Sequence, residues 1–278
     1  MPYKSAGVVR FCKSFKMRSA LVALLICNAS VAHADYQFAV NLEALYFDYE
    51  EVGEAGSLNE ETGWLPGLSL NMSKSLGSYS LGLDAGLYSG SVVYDGETQG
   101  GTDLQTRTEQ QIYRVAGYLQ WQPPESQFGL YARLGYWQWK RDIQPTSGTS
   151  GLFERYYWQF IEAGLSATLW QSDRRSVFLD IGYAHIYDAE VDVDLRPFGF
   201  GQANLTLGDA SHGVITRLGF KMPWSVSDHL ELALTHRYWN LKQSEPGRVG
   251  NGPTVLTVKE PESRANHMSI SLSYVHSF

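Results

Sequence analysis

The stretch Asn266–Phe278, NHMSISLSYVHSF, carries the clearest structural pattern in the chain. Apolar or aromatic side chains stand at every second residue: Met268, Ile270, Leu272, Tyr274, His276 and Phe278. Successive side chains of a strand point to opposite faces, so this period of two predicts a ribbon with one apolar and one small polar face. A transmembrane barrel removes the open edge of such a strand by pairing its last strand with its first. The stretch therefore predicts the closing strand of a transmembrane barrel.

The same stretch resembles the C-terminal signature of bacterial outer-membrane barrels, a final strand of alternating hydrophobic residues that closes on Phe. The resemblance implies that Tyr274 and Phe278 form an assembly signal read by the barrel assembly machinery. It also implies a Gram-negative cell envelope, with outer-membrane lipid and lipopolysaccharide as the surroundings of the barrel.

The beginning of the chain predicts a cleaved secretory signal peptide. Basic residues precede an apolar run at 20–27, which is too short to span a bilayer as a helix. Residues 32–34, Ala-His-Ala, then form the small-x-small pattern of a cleavage site. We therefore expect a signal peptide at 1–34, cleavage near Ala34, and a single barrel domain at 35–278.

Cysteine and charge limit the function classes that remain. Cys27 would also allow a lipoprotein site, but Ile26 stands where such a site needs Gly, Ala or Ser. Cys12 and Cys27 both precede the cleavage site, so we expect a mature chain without thiols. The mature chain would keep 17 basic residues against 29 acidic ones, a net charge of −12. This acidity argues against a nucleic-acid partner, and no motif predicts a metal or a cofactor.

The remaining sequence predicts an all-β fold: a single antiparallel up-and-down barrel of about ten strands, with eight or twelve left open. Short turns alternate with long segments that we expect to be extracellular loops, namely Glu50–Gly63, Tyr94–Glu109, Asp188–Ser211 and Asn240–Ala265. Aromatic residues at the two ends of the outward faces predict two interfacial girdles. The upper girdle comprises Trp64, Tyr113, Tyr136, Tyr157 and Tyr238, and the lower one Tyr79, Trp121, Phe128 and Phe278.

Charged residues on the inward faces are the first candidate site. They are Glu43, Asp84, Arg114, Arg133, Glu162, Asp180, Arg217, Lys221, Glu231 and Arg237. An isolated buried charge is very costly, so these groups are expected to pair with one another, Arg133 with a lumen carboxylate among them. The network is either a structural plug of a narrow lumen or a selectivity strip for a small ion or solute; a catalytic carboxylate pair is a third interpretation.

Four acidic residues are a second candidate site. Asp188, Glu190, Asp192 and Asp194 follow one another at a period of two, which places them on one face of an extended strand. Clustered carboxylates can bind a divalent cation. The alternative is an ordinary solvated face of a protruding hairpin.

The chain length and strand count resemble the omptin proteases, whose ten-stranded barrels carry an Asp pair and an Asp-His pair above the membrane. This chain has Asp95 and Asp103 in the corresponding loop without an Asp-x-Asp pair, and Asp209-Ala-Ser-His212 departs from the Asp-x-His pattern. A His and a Ser at 267 and 269 faintly resemble the lipid A deacylases, which are smaller barrels.

These observations predict a non-enzymatic outer-membrane barrel, either a narrow porin-like channel for solutes or ions or a surface interaction protein with an unidentified extracellular ligand. The alternative is an outer-membrane hydrolase, omptin-like or acting on lipopolysaccharide, with its site at the rim of the extracellular loops. Rigid hairpins that extend well above the girdle would favour the interaction protein.

Overall fold

Ten antiparallel strands close into one barrel in the computed structural model, which describes residues 36–53, 56–97 and 101–278. The barrel strands are β1 (Tyr36–Gly53), β2 (Gly56–Leu76), β3 (Tyr79–Glu97), β4 (Asp103–Trp121), β5 (Phe128–Ile143), β6 (Leu152–Ser172), β7 (Arg175–Asp194), β8 (Gln202–Pro223), β9 (Asp228–Ser244) and β12 (Glu262–Ser277). A separate hairpin consists of β10 (Gly247–Asn251) and β11 (Thr254–Val258). The predicted signal peptide lies outside the described residues.

The last barrel strand closes the sheet by pairing with the first, as the sequence predicts. β12 pairs with β1 from Gln37 opposite Ser277 to Val52 opposite Glu262, and on its other side it pairs with β9. The other barrel strands each pair with their neighbours in sequence. The prediction of ten strands is confirmed, and the alternatives of eight or twelve are wrong. No helix among the described residues is both long and apolar enough to cross a membrane.

The alternation of side chains explains why these segments form barrel strands. Outward positions carry large apolar residues that remain exposed, such as Leu42 at 63 % and Leu165 at 61 %. Inward positions carry small or polar residues, such as Ser69, Ser271 and Ser273 on strands β2 and β12. Lipid solvates the outward face of such a barrel, so apolar exposure there costs nothing.

The two ends of the barrel differ in the length of their connections. Short turns at 77–78, 122–127, 173–174 and 224–227 lie at the end that also holds residues 36 and 277, which we call the turn end. At the opposite end, the extended end, the strands continue beyond the upper aromatic girdle. Strand β3 runs ten residues past Leu87 to Glu97, about 30 Å along the strand at roughly 3.3 Å per residue.

The four segments predicted as long loops are mostly strand, and this corrects the sequence analysis. Within Glu50–Gly63, for example, β1 continues to Gly53 and β2 begins at Gly56. Above the girdle water replaces lipid outside the barrel, so outward residues there are polar, while inward residues include apolar side chains as well as charged ones such as Glu61. The outward apolar signal of a membrane strand is therefore lost, although the alternation of side chains persists.

Candidate functional site

A layer of aromatic rings closes the lumen near the upper girdle. We call this the aromatic layer; its members are Phe47, Trp137, Trp139, Trp158, Phe160, Trp239 and His267, all buried. Neighbouring rings have centroids 5.1–5.9 Å apart. Phe47 on β1 meets Trp139 on β5, and Trp137 on β5 meets Trp239 on β9, so these contacts cross the lumen. The rings fill the cross-section of the barrel.

Two glycines make room for the rings of this layer. A Cβ atom on Gly213 would lie 2.3 Å from the Trp239 ring, and one on Gly135 would lie 2.3 Å from the Phe160 ring. The rings thus lie flat against the backbone of the neighbouring strand. Any larger residue at either position would push an aromatic ring out of the layer.

A buried guanidinium group with three carboxylates lies above the layer, in the extended end. The Nη1 atom of Arg141 is 2.6 Å from both Glu51 Oε1 and Glu154 Oε2, and its Nε is 2.7 Å from Glu61 Oε1. We call these four residues the Arg141 cluster. Arg141 is only 1 % exposed, so the cluster is held away from bulk water.

A fourth carboxylate, Glu260, lies beside the Arg141 cluster without a cation of its own. It accepts a hydrogen bond from Tyr156 Oη, and the same hydroxyl is 3.4 Å from Glu154 Oε2. Burial raises the pKa of Glu154, and it raises the pKa of Glu260 well above the usual range of a glutamate. The raised pKa values of Glu154 and Glu260 favour their protonated forms, which lowers the negative charge that this dry interior holds.

A polar cavity of about 760 Å³ lies below the aromatic layer and opens at the turn end. Its mouth is lined by residues of the short turns, including Gly77, Ser78, Pro123 and Gln127. Its inner end lies beside a space of about 20 Å³ directly below Trp137 and Trp239. The lumen thus contains a dead-end cavity below the aromatic layer and is filled with packed side chains above it.

Nine of the ten lumen charges proposed from the sequence line this cavity, and Glu162 lines the small space at its inner end. Arg114 pairs with Glu43 at 2.9 Å and also contacts Asp84. Arg217 contacts Glu231 and lies 3.7 Å from Asp180, and Lys221 lies 3.7 Å from Glu231. These seven groups form two separate ion-pair clusters on the wall of the cavity.

Arg133 does not make the ion pair that the sequence predicts. Glu162, its neighbour across the β5–β6 ladder, instead accepts a hydrogen bond of 2.8 Å from Tyr131 Oη. The guanidinium of Arg133 lies over the rings of Tyr118 and Tyr131, at 5.6 and 5.5 Å from their centroids. Aromatic faces attract a guanidinium, so these rings take the place of the expected carboxylate.

The acidic face of β7 is present, and each acid has its own partner. Asp188 accepts a hydrogen bond from Gln159, Glu190 contacts Tyr157, Asp192 contacts Arg155, and Asp194 contacts Arg196. Ala189, Val191 and Val193 occupy the opposite face of the strand and are buried. Within the described ranges no group of three or more Asp, Glu, His or Cys side chains could hold a metal. Cation binding by these acids stays a prediction.

Among the described residues of the extended end, the histidines have no carboxylate partner. His212 Nδ1 lies 3.1 Å from the carbonyl oxygen of Ala210, and its ring stacks on Tyr183. Asp95 accepts a weak hydrogen bond of 3.4 Å from Gln105. His267 belongs to the aromatic layer, and neither of its ring nitrogens has a hydrogen-bond partner among the described residues. This geometry brings together none of the acid–histidine pairs that an omptin-like site needs.

The predicted assembly signal is anchored at the turn end. Tyr274 Oη donates a hydrogen bond of 2.9 Å to Asp228, and His276 Nδ1 lies 2.7 Å from the same carboxylate oxygen. Hydrogen bonds from Ser225 and His276 lower the pKa of Asp228 to about 2. The ring of Phe278 packs edge-on against His276, with centroids 4.5 Å apart.

The Arg141 cluster and the upper part of the aromatic layer were missed in the sequence. In β5 the inward positions are odd-numbered, so the period that includes Arg133 and Trp137 continues to Trp139 and Arg141. In β6 the even positions continue the same way from Glu162 up to Glu154. Extending the parity of each strand beyond the girdle would have found these residues.

Comparison with known proteins defines the class of fold. No family model matches the chain, and no curated protein matches it. The outer-membrane protease OmpT of Escherichia coli superposes with a TM-score of 0.59 at 10 % identity, over 88 % of this chain and 96 % of that chain. The translocator domain of the autotransporter NalP from Neisseria meningitidis superposes with a TM-score of 0.42 at 8 % identity, over 91 % of this chain and 91 % of that chain. The P. putida toluene transporter TodX superposes with a TM-score of 0.38 at 9 % identity, over 90 % of this chain and 91 % of that chain.

The fold is therefore that of a small bacterial outer-membrane β-barrel. Barrels of this fold have short periplasmic turns and longer extracellular connections. The similarity to OmpT is one of fold alone at this level of identity.

Proposed function

We propose that the protein is a closed outer-membrane barrel that acts through its extracellular extension as a surface interaction protein. The aromatic layer is the single observation that carries this proposal, because it leaves no path for a solute between the two ends of the lumen. The absence of an acid–histidine pair among the described extracellular residues supports a non-enzymatic role over the alternative of a rim hydrolase.

The extended end has the packed interior that a stable interaction surface needs. Its interior is a packed apolar core that includes Val191, Leu205 and Leu241. The β10–β11 hairpin lies near the turn that follows β7, where Asn251 Nδ2 donates a hydrogen bond of 2.5 Å to the carbonyl oxygen of Gly199. On the hairpin Val255 is 61 % exposed, on the face of β11 opposite to Leu256, whose ladder partner Val249 is buried. Val255 is therefore an exposed apolar contact carried on a paired hairpin.

The surroundings of the barrel follow from its class. We propose that the outward apolar face contacts outer-membrane lipid and lipopolysaccharide, and that the assembly machinery reads Tyr274 and Phe278 after the signal peptide is cleaved near Ala34. The anchoring of Tyr274 and His276 on Asp228 would present that final strand in a fixed register.

Refolded residues 35–278 should give no steady single-channel conductance in a planar bilayer, because the rings of the aromatic layer exclude water and ions. An open porin reconstituted in the same bilayer would be the positive control. Silence with correctly folded barrel supports the closed lumen, whereas steady and ion-selective openings would overturn it in favour of a channel.

Replacing Val255 with serine should reduce attachment of cells that display the protein to a hydrocarbon-coated surface by about tenfold, the effect of roughly 1.4 kcal/mol of lost apolar contact. The matched control replaces Thr257, on the same face of the same strand, with serine. Equal attachment of the two variants, at equal surface expression, would contradict a role for Val255.

A further inference from the structure

The blind periplasmic cavity ends at two guanidinium groups that make no direct ion pair with any described residue. Arg133 and Arg237 line both the cavity and the small space below Trp137 and Trp239. Among the described residues no carboxylate oxygen lies within 4.0 Å of either group, whereas Arg114 and Arg217 are both paired. The Nε atom of Arg133 is buried and has no hydrogen-bond partner.

Two cations in this position favour an anionic ligand. A buried charge without a partner is costly, and the aromatic layer directly above excludes water from one side of both groups. The planar guanidinium group binds carboxylate and phosphate oxygens through paired hydrogen bonds, which are stronger where the surroundings are apolar. An oxyanion between the two groups would give each guanidinium the direct hydrogen-bonded partner that it lacks among the described residues.

The cavity wall between the two ion-pair clusters matches a hydroxylated ligand. It carries hydroxyl and amide side chains from several strands, among them Asn41, Ser69, Asn71, Thr235, Ser271 and Ser273. These groups both donate and accept hydrogen bonds, as sugar hydroxyls do. The volume of about 760 Å³ is within the range of about 300–1,000 Å³ found for small-molecule sites.

We propose that this cavity binds a small hydroxylated solute that carries a carboxylate or phosphate group and enters from the periplasm. Arg133 and Arg237 hold the oxyanion at the inner end, and the serine and amide side chains contact the hydroxyl groups. This site is separate from the extracellular surface, so a negative result for this cavity would leave the proposed function untouched.

Calorimetric titration of the folded barrel in detergent with glucuronate, glucose and inorganic phosphate tests the site. Saturable binding is expected for at least one of the two anions and not for glucose. Glucuronate alone would identify the ligand as a sugar acid, and phosphate alone would identify a phosphorylated solute. Saturation by neither anion, or equal binding of glucose and glucuronate, would overturn the proposal.

Variants that remove one charge separate specific binding from general attraction. Arg237→Gln should weaken anion binding at least about tenfold, a loss of roughly 1.4 kcal/mol. Arg174→Gln removes the same charge from an exposed turn, where its guanidinium contacts only the carbonyl oxygens of Ser225 and Val226, and should leave binding unchanged. Equal weakening by both variants would contradict a built site.

A thermal readout guards against a folding defect. Removing an unpaired interior cation should leave the melting temperature of the ligand-free barrel unchanged or slightly higher. The bound anion should raise the melting temperature of the wild-type barrel and of Arg174→Gln, since it stabilises only the folded state, and should fail to raise that of Arg237→Gln. A ligand-induced rise that persists in Arg237→Gln would count against the assignment of this residue.

Discussion

Replacing Arg141 with methionine should lower the free energy of unfolding of the extended end by about 3–5 kcal/mol, the usual cost of removing one partner from a buried charge cluster. The guanidinium holds three carboxylates at 2.6–2.7 Å, so its loss leaves Glu51, Glu61 and Glu154 crowded together without a cation. Methionine has a similar length, which limits the contribution of a cavity to the effect. Hydrogen exchange of the β5 and β6 amides above the girdle would measure the local opening.

The matched control is Arg155→Met, on the neighbouring strand β6 beside the residue that precedes Arg141. Arg155 pairs with Asp192 on the outer face and its side chain is 43 % exposed, so its removal should cost about 1 kcal/mol or less. Similar exchange rates in the two variants would mean that the Arg141 cluster carries no more free energy than a surface ion pair.

The extended end should become less stable as the pH rises above the ordinary pKa of a glutamate. Burial raises the pKa of Glu154 and of Glu260 in the folded state, so the folded protein binds more protons than the unfolded one across that interval. The free energy of unfolding therefore falls with rising pH until the folded-state groups also ionise. Denaturant unfolding at a series of pH values from acid to weakly alkaline would record this slope.

Replacing Glu260 with glutamine should flatten that slope, because an amide accepts the hydrogen bond from Tyr156 without carrying a charge. At weakly alkaline pH the variant should be more stable than the wild type by about 1–3 kcal/mol, the cost of a buried charged group without a partner. Glu245→Gln, in the exposed connection after β9, is the control and should leave the slope unchanged. A wild-type barrel whose stability does not depend on pH would contradict the raised pKa values of Glu154 and Glu260.

The part of the fold inside the bilayer was predictable, since lipid outside and polar side chains inside give each strand a strong period of two. The inward positions of Glu43, Arg114 and Arg237 follow directly from that alternation. Partner choice was not predictable, because it depends on which side chains meet across the lumen. Arg133 illustrates this: its ladder neighbour is Glu162, yet its guanidinium rests on tyrosine rings.

The strands of the extended end are predicted as loops because hydropathy alone marks the predicted strand ends. Water surrounds the barrel above the girdle, so a charged outward residue there, such as Glu60 or Asp192, no longer marks the end of a strand. The fate of Asp188–Asp194 shows the same point. Its acids face outward as expected, but on a paired strand whose Ala189 and Val191 help to form an apolar core.

The seam between β1 and β12 bears on how the barrel forms. Phe47 and His267 face each other across this seam with ring centroids 5.1 Å apart, and both belong to the aromatic layer. The layer can therefore be completed only when the first and last strands meet. Pairing of β1 with β12 and exclusion of water from the interior then occur together. Assembly should then proceed from an open, hydrated sheet to the closed barrel in one cooperative step, without a stable closed intermediate that still holds water at its centre.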